Sequence, residues 1–146
     1  MENTKTYNNY QEMKNAHQTE LNAFPLGFAF SDAQFNKMML KWNLDPEKDI
    51  DKIYSIGIAG GYIRKSDTKA FEELNKRFRK EEKLFKKNYK KLVDMLVYEM
   101  GNHEYCITYD LTETLEACGY SMEDLKTDKT LIKAVNEARR KYLRTI

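Results

Sequence analysis

The sequence has few of the residues that build disulfide frameworks, metal centres or membrane spans. It contains two cysteines, two histidines and two prolines, and no apolar run approaches the roughly 18 residues that a transmembrane helix needs. Cys106 and Cys118 match no zinc or disulfide pattern, and the polar N-terminus lacks the apolar region of a signal peptide. We therefore expect a soluble protein of the reducing cytoplasm, with no cofactor, no metal and no membrane partner.

Composition and length indicate one folded domain. Hydrophobic residues make up 41% of the chain, which is too many for a disordered protein even though 33% of positions are charged. A chain of 146 residues is close to the commonest size for a single hydrophobic core. We therefore predict a single domain over residues 1–146.

Charge is divided into blocks along the chain, although the net charge is only +2. Residues 64–91, the basic block, carry 12 basic and 5 acidic side chains, whereas residues 92–125, the acidic block, carry 8 acids and no Lys or Arg. Such blocks create local potentials that attract partners of opposite charge. An intramolecular alternative stays open, in which the acidic block folds against the basic block and against residues 126–146, which carry 7 basic and 2 acidic side chains.

The succession of β-favouring and helical segments predicts an α+β fold. Three strands are expected at about residues 26–30, 53–58 and 61–65, with the glycines at 60 and 61 turning the last two into a hairpin. Side chains able to cap helices precede several of the helical patterns. The fold class is therefore a small antiparallel sheet packed against several helices, one of them long. The helices are expected over residues 7–21, from Ser31, from Ser66 or Asp67 to Gly101 with a break at 79–83, from 111 or 112 to 118, at Ser121 and from Asp128.

No recognisable catalytic constellation is present. The spacing of the glycines at 57, 60 and 61 matches neither of the phosphate-binding motifs GxxxxGK[ST] and GxGxxG. A strand is expected after them, where those motifs need a helix N-terminus. Cys106 lies near His103 in sequence, but no nucleophile signature surrounds it. We therefore expect a protein that is not an enzyme.

A polar segment at the end of the long helix contains candidate residues for a metal or catalytic site. Glu99 and His103 are one helical turn apart, and a metal-dependent enzyme would use them with Glu104. The structural alternative is that Asn102 and His103 bond backbone groups where the helix ends. If His103 is functional, hydrogen bonding or proton transfer comes before metal binding.

Two sets of charged residues are candidates for binding a partner. The acidic set can meet a basic partner such as a nucleic-acid-binding groove, and the basic set can meet a partner protein or follow a phosphate backbone. The acidic candidates are Glu99, Glu104, Asp110, Glu113, Glu116, Glu123 and Asp124. The basic candidates are Lys76, Arg77, Lys80, Lys83, Lys86, Lys87 and Lys90.

Several segments together resemble small uncharacterised proteins carried by phages, prophages and plasmids of gut bacteria. The similarity runs in order through roughly residues 22–137. It is carried by Phe28-Ala29-Phe30-Ser31 with Gln34-Phe35, Gly60-Gly61-Tyr62-Ile63-Arg64-Lys65-Ser66-Asp67, Tyr98-Glu99-Met100-Gly101-Asn102-His103-Glu104-Tyr105 and Leu115-Glu116-Ala117-Cys118-Gly119-Tyr120. The resemblance implies a genomic setting among accessory genes of mobile elements, where inhibitors of host defence such as anti-CRISPR proteins are common.

The expected function is therefore a non-enzymatic inhibitor of a host defence system, anti-CRISPR-like, in the cytoplasm of a bacterial host. Its expected partner is a host protein, foremost a CRISPR effector nuclease whose nucleic-acid path it blocks. The alternative is a nucleic-acid-binding accessory or regulatory protein that uses the basic set. A homodimer formed through the long helix also remains open.

Overall fold

A computed structural model describes residues 4–57 and 60–146 of the chain. These residues form eight α-helices, two 3-10 turns and one three-stranded antiparallel sheet, which confirms the α+β prediction. The elements are α1 (Tyr10–Ala23), β1 (Gly27–Phe28), α2 (Asp32–Lys41), β2 (Ile53–Ser55), β3 (Gly61–Arg64), α3 (Thr68–Lys87), α4 (Tyr89–Asn102), α5 (Tyr105–Thr108), α6 (Thr112–Ala117), α7 (Met122–Thr127) and α8 (Lys129–Thr145). The 3-10 turns are Ile50–Lys52 and Lys65–Asp67.

The chain divides into two compact units. The central unit comprises His17–Phe78, and the terminal unit comprises the residues up to Ala16 together with Arg79–Ile146. Both boundaries fall within helices, one within α1 and one within α3. The single domain expected from length and composition therefore stays a prediction.

The central unit contains the sheet, with strand order β1-β3-β2. Gly27 faces Tyr62 across the β1–β3 pair, and Tyr54 faces Ile63 across the β2–β3 pair. Helix α2 packs closely on β1, since a Cβ at Gly27 would lie 2.3 Å from the Met38 sulfur. The predicted strand 53–58 ends at residue 55, and its last residue lies outside the described residues, as does residue 59 of the predicted turn.

The terminal unit has a larger core made mainly by α4, α6 and α8. Leu96, Met100, Leu115, Ala134 and Ala138 are all fully buried. The apolar face of α4 contacts both α6 and α8, which explains why the C-terminal part of this helix is rich in apolar residues.

Helix starts confirm the capping signals in the sequence. The Ser31 hydroxyl accepts a hydrogen bond from the N–H of Gln34 (3.2 Å), and the Asp128 carboxylate accepts one from the N–H of Leu131 (3.0 Å). Ser121 and Asp124 form a reciprocal capping box at α7. Each cap satisfies backbone donors that the helix itself leaves without partners.

The break predicted at residues 79–83 is wrong, because α3 continues through that segment to Lys87. The helix breaks at Asn88, whose backbone is extended and whose side-chain oxygen accepts from the N–H of Lys91 (3.1 Å). A run of charged residues leaves helical geometry intact, whereas an Asn side chain can replace the helical partner of a backbone N–H.

Within the described part of the chain, we find no helix that combines the length and apolar character needed to cross a membrane.

Candidate partner-binding surfaces

The carboxylate of Glu99 lies in the interior of the terminal unit. Its side chain is 2% exposed and accepts hydrogen bonds from the Tyr10 hydroxyl (2.8 Å) and the Lys14 amino group (3.2 Å). Burial raises the pKa of Glu99, but the bonds from Tyr10, Lys14 and Asn102 outweigh it and hold this pKa below its usual range. Burial, together with the bond to Glu99, also raises the pKa of Tyr10.

Glu99 was predicted to face a basic partner, and this assignment is wrong. The residue stands on α4 between positions that face the core, so its charge is neutralised inside the molecule. A buried carboxylate that already has a lysine and a tyrosine as partners cannot also contact a partner surface.

Asn102 and His103 both contact Glu99. The Asn102 amide donates to one carboxylate oxygen (3.4 Å), and His103 Nε2 lies 3.3 Å from the same oxygen. The other ring nitrogen, Nδ1, lies 3.2 Å from the Glu113 carboxylate. The side chains therefore meet carboxylates rather than the backbone groups expected at this helix end. They fasten the end of α4 to its own preceding turn and to α6.

Glu99, His103 and Glu104 do not form a set of metal ligands in the structure. In the parts of the chain that the structure describes, no three or more His, Cys, Asp and Glu side chains are grouped to hold a metal ion. Glu104 is exposed at the residue before α5, while Glu99 is buried and paired with Lys14.

The other acidic candidates are exposed, but they differ in what they contact. Asp124 caps α7, and Glu123 pairs with Lys126 (3.1 Å). Among the described residues, no Lys or Arg nitrogen lies within 4 Å of the remaining acidic candidates. We call these four the acidic surface: Glu104, Asp110, Glu113 and Glu116.

Two large apolar side chains lie in the same segment of the sequence as these carboxylates. Ile107 is 71% exposed and Tyr109 is 67% exposed, although Tyr105 of the same short helix is buried. Helix α5 is a single turn between two residues with left-handed backbones, Glu104 (φ 52°) and Tyr109 (φ 53°). So short a helix can bury one of its sides only, and the opposite side presents Ile107 to solvent.

The structure bears on the intramolecular alternative for the acidic block. Among residues 4–57 and 60–146, the Lys or Arg ion pairs of that block are Lys14 with Glu99 and Lys126 with Glu123. The Asp110 carboxylate accepts from the N–H of Thr112 (2.9 Å), and this backbone bond lowers the pKa of Asp110. Among the described residues, the acidic surface is therefore not paired with Lys or Arg of the basic block.

The basic candidates divide in the same way. Arg77 is half-buried and pairs with Glu20 (2.5 Å) within the central unit. Lys86 donates to the backbone oxygen of Cys118 (2.9 Å), and burial lowers its pKa. These two are held by the fold and present no free charge for a partner. The exposed members are Lys76, Lys80, Lys83, Lys87 and Lys90.

Ile107 and Tyr109 were not predicted as binding residues. In the sequence they belong to an apolar stretch that begins at Tyr105, and such a stretch normally indicates a buried element. The left-handed backbone at Tyr109, which ends α5, could not be predicted from sequence, because aromatic residues seldom adopt this conformation.

A family model described as a family of unknown function (DUF7659) matches residues 9–141. Neither the curated proteins nor the solved structures include a match to this chain.

Proposed function

The chain belongs to a family of unknown function, and we propose that it is a binding protein whose acidic surface occupies a basic nucleic-acid path of a partner. It acts by stoichiometric binding and not by catalysis. The partner we propose is a nuclease effector of a host defence system, foremost a CRISPR nuclease.

One observation carries the proposal: the acidic surface is exposed, charged and without Lys or Arg partners in the described residues. Because an exposed carboxylate without a Lys or Arg partner remains largely hydrated, it can exchange water for a lysine or arginine of another protein. A groove that binds nucleic acid supplies such side chains in a row.

Ile107 and Tyr109 support a protein partner in particular. Protein interfaces gain most of their affinity from a few aromatic and aliphatic side chains surrounded by polar ones. Here Ile107 of α5 and Tyr109, which directly follows it, are both exposed, and both lie in sequence between Glu104 and Asp110 of the acidic surface. A carboxylate cluster alone would bind any cation, whereas this arrangement favours a basic protein surface with an apolar recess.

The resemblance to accessory proteins of phages, prophages and plasmids supports the choice of a host defence nuclease. The resemblance implies a setting among accessory genes of mobile elements, where small inhibitors of host defence are common, and such a protein would meet a defence nuclease inside its bacterial host. The origin from a mobile element and the anti-CRISPR role are parts of the proposal.

The test is a cleavage assay with a panel of purified, guide-loaded CRISPR nucleases. We expect one class of nuclease to lose target cleavage at about one equivalent of the protein, since binding without turnover requires stoichiometric amounts. Full inhibition at far below one equivalent would indicate catalysis, and no inhibition across the panel would overturn the proposal.

A charge-reversal variant locates the surface. Glu113→Lys/Glu116→Lys should raise the concentration for half-inhibition at least about tenfold, because two attractive charge contacts become repulsive. The control Glu47→Lys/Asp51→Lys makes the same charge change at exposed positions of the central unit and should inhibit like the wild type. Equal effects of both variants would show that net charge alone matters.

A second function has an observation in its favour. Lys80, Lys83 and Lys87 are exposed on α3 with spacings of three and four residues, so they form one stripe that could follow a phosphate backbone. Glu82 on the same helix weakens the potential of this stripe. This is the basis of the alternative proposal, a nucleic-acid-binding accessory or regulatory protein.

A gel shift separates the two functions. Nucleic-acid binding predicts a shift at low salt that weakens steeply as salt rises, and that Lys80→Glu/Lys83→Glu/Lys87→Glu removes. Absence of a shift at low salt would eliminate the second function and leave the first unaffected.

A further inference from the structure

A groove of the central unit lies beside β1, an edge strand of the sheet. Its volume is about 520 Å³, within the range of pockets that bind small molecules and peptide side chains. One wall is the segment from Phe24 to Phe28, and the other is the exposed side of α2. We propose that this groove binds a short extended peptide carrying acidic side chains at alternate positions, which adds to the sheet as a fourth strand next to β1.

The strand order gives the backbone half of the site. β1 pairs with β3 on one side only, so its other side is an edge of the sheet. The N–H of Ala29 donates to the oxygen of Gly60 (2.8 Å), towards β3. Because successive residues of an antiparallel strand alternate in direction, the N–H and C=O of Phe28 point away from β3. A peptide strand can bond to both groups.

The helix supplies the second wall and the apolar floor. Met38 of α2 and Trp42, the residue that follows α2, line the groove, and both approach β1 at Gly27, where any side chain would collide with them. Phe28, which is 63% exposed, lies at the groove as an apolar contact for the occupant.

Charge selects the chemistry of the occupant. Lys37 and Lys41 line the groove one helical turn apart, and both are exposed. In the described residues, no carboxylate lines the groove. Neighbours at this helical spacing are about 6 Å apart, and alternate side chains of a strand are about 6.8 Å apart. Two acidic side chains on one face of a bound strand would therefore match the two lysines.

A peptide fits this groove better than a single-stranded nucleic acid does. Bases bind proteins by stacking on open aromatic faces. One face of the Trp42 ring is covered by the Arg64 guanidinium at 5.6 Å, and the ring edge packs at Gly27. The open edge of β1, by contrast, offers a backbone N–H and C=O. A polypeptide strand has the alternating donors and acceptors that pair with such groups.

The experiment uses a phage-displayed library of random heptapeptides selected on the immobilised full chain. Synthetic copies of the enriched peptides are then titrated while the fluorescence of Trp42, the single tryptophan of the chain, is recorded. We expect enriched peptides with Asp or Glu at alternate positions and saturable fluorescence changes. Failure to enrich any sequence, or enrichment of basic ones, would overturn the proposal.

Two further measurements separate this mode from unspecific attraction. Lys37→Glu/Lys41→Glu should weaken binding at least about tenfold, whereas the control Lys48→Glu/Lys52→Glu, with the same charge change elsewhere in the unit, should change it less than about twofold.

Methylating one backbone nitrogen of the peptide should abolish binding, and methylating its neighbour should not, because alternate N–H groups face β1. Equal sensitivity to both lysine pairs or both methylations, or competition by an eight-nucleotide thymidine strand, would contradict strand addition.

Discussion

Glu99 is a residue whose chemistry contributes directly to the stability of the terminal unit. It is buried and charged, and its partners Tyr10 and Lys14 lie more than 80 positions away in the sequence. The interaction therefore joins α1 to α4. A carboxylate in such a position stabilises the fold only while its hydrogen bonds are complete.

Replacing Glu99 by Ala should lower the free energy of unfolding by about 2–3 kcal/mol, because Tyr10 and Lys14 lose their acceptor and a cavity forms. Urea unfolding at neutral pH measures this. The control Glu113→Gln alters an exposed carboxylate that, like Glu99, contacts His103. It should change stability by less than about 0.5 kcal/mol. A loss of less than 1 kcal/mol in Glu99→Ala would contradict the role assigned to this residue.

The lowered pKa of Glu99 also predicts how stability depends on pH. A carboxyl whose pKa is lower in the folded than in the unfolded state stabilises the fold above its ordinary pKa, and this contribution is lost as pH falls through the folded value. Stability should therefore decline from about pH 5 towards pH 3, and less steeply in Glu99→Gln than in the wild type. Parallel pH profiles of the two proteins, measured by urea unfolding, would refute this assignment.

At the scale of elements, capping residues decide where helices begin and end. Ser31, Ser121 and Asp128 are predictable from sequence because each acts within three or four residues of itself. The break between α3 and α4 could not be located in the same way. Asn88 is followed by residues that also form helices well, so the sequence alone favours a break in the charged run at 79–83.

Replacing Asn88 by Ala tests this break. The variant should lose about 1 kcal/mol of stability, because the N–H of Lys91 loses its side-chain acceptor. Thermal unfolding followed by circular dichroism measures the loss, and Asn88→Asp, which keeps an acceptor, should retain most of the stability. An unchanged Asn88→Ala would show that packing alone sets the position of the break.

The binding candidates show the limit of local reasoning in the same way. Sequence spacing brought Glu99 and His103 together correctly, since residues four apart share a helix face. It could not show that Glu99 is buried, because Lys14 and Tyr10 come from a distant segment. Nor could it show that Ile107 is exposed, since that depends on how little of α5 the core covers.

At the scale of the whole molecule, the chain has two compact units but only one tryptophan and two cysteines. Trp42 lies in the central unit. Cys118 lies in the terminal unit, where burial raises its pKa to about 12, so the native thiol is protonated and shielded. The two side chains report separately on the two units.

We expect the units to unfold together, as the single-domain prediction requires. The fluorescence of Trp42 and the alkylation of Cys118 should give the same urea midpoint, measured in a Cys106→Ser variant so that one thiol reacts. Because each unit boundary falls inside a helix, local unfolding of one unit alone would have to break α1 and α3. Midpoints that differ by more than experimental error would show two independently folding units.

The central claim is that the acidic surface occupies the nucleic-acid path of a nuclease, and competition with DNA tests it most directly. The protein is immobilised, and binding of the inhibited guide-loaded nuclease is measured by interferometry before and after the nuclease has taken up uncleavable target DNA. Mutual exclusion predicts that DNA-loaded nuclease binds at least about tenfold more weakly. Equal affinity for the free and the DNA-loaded nuclease would contradict the account.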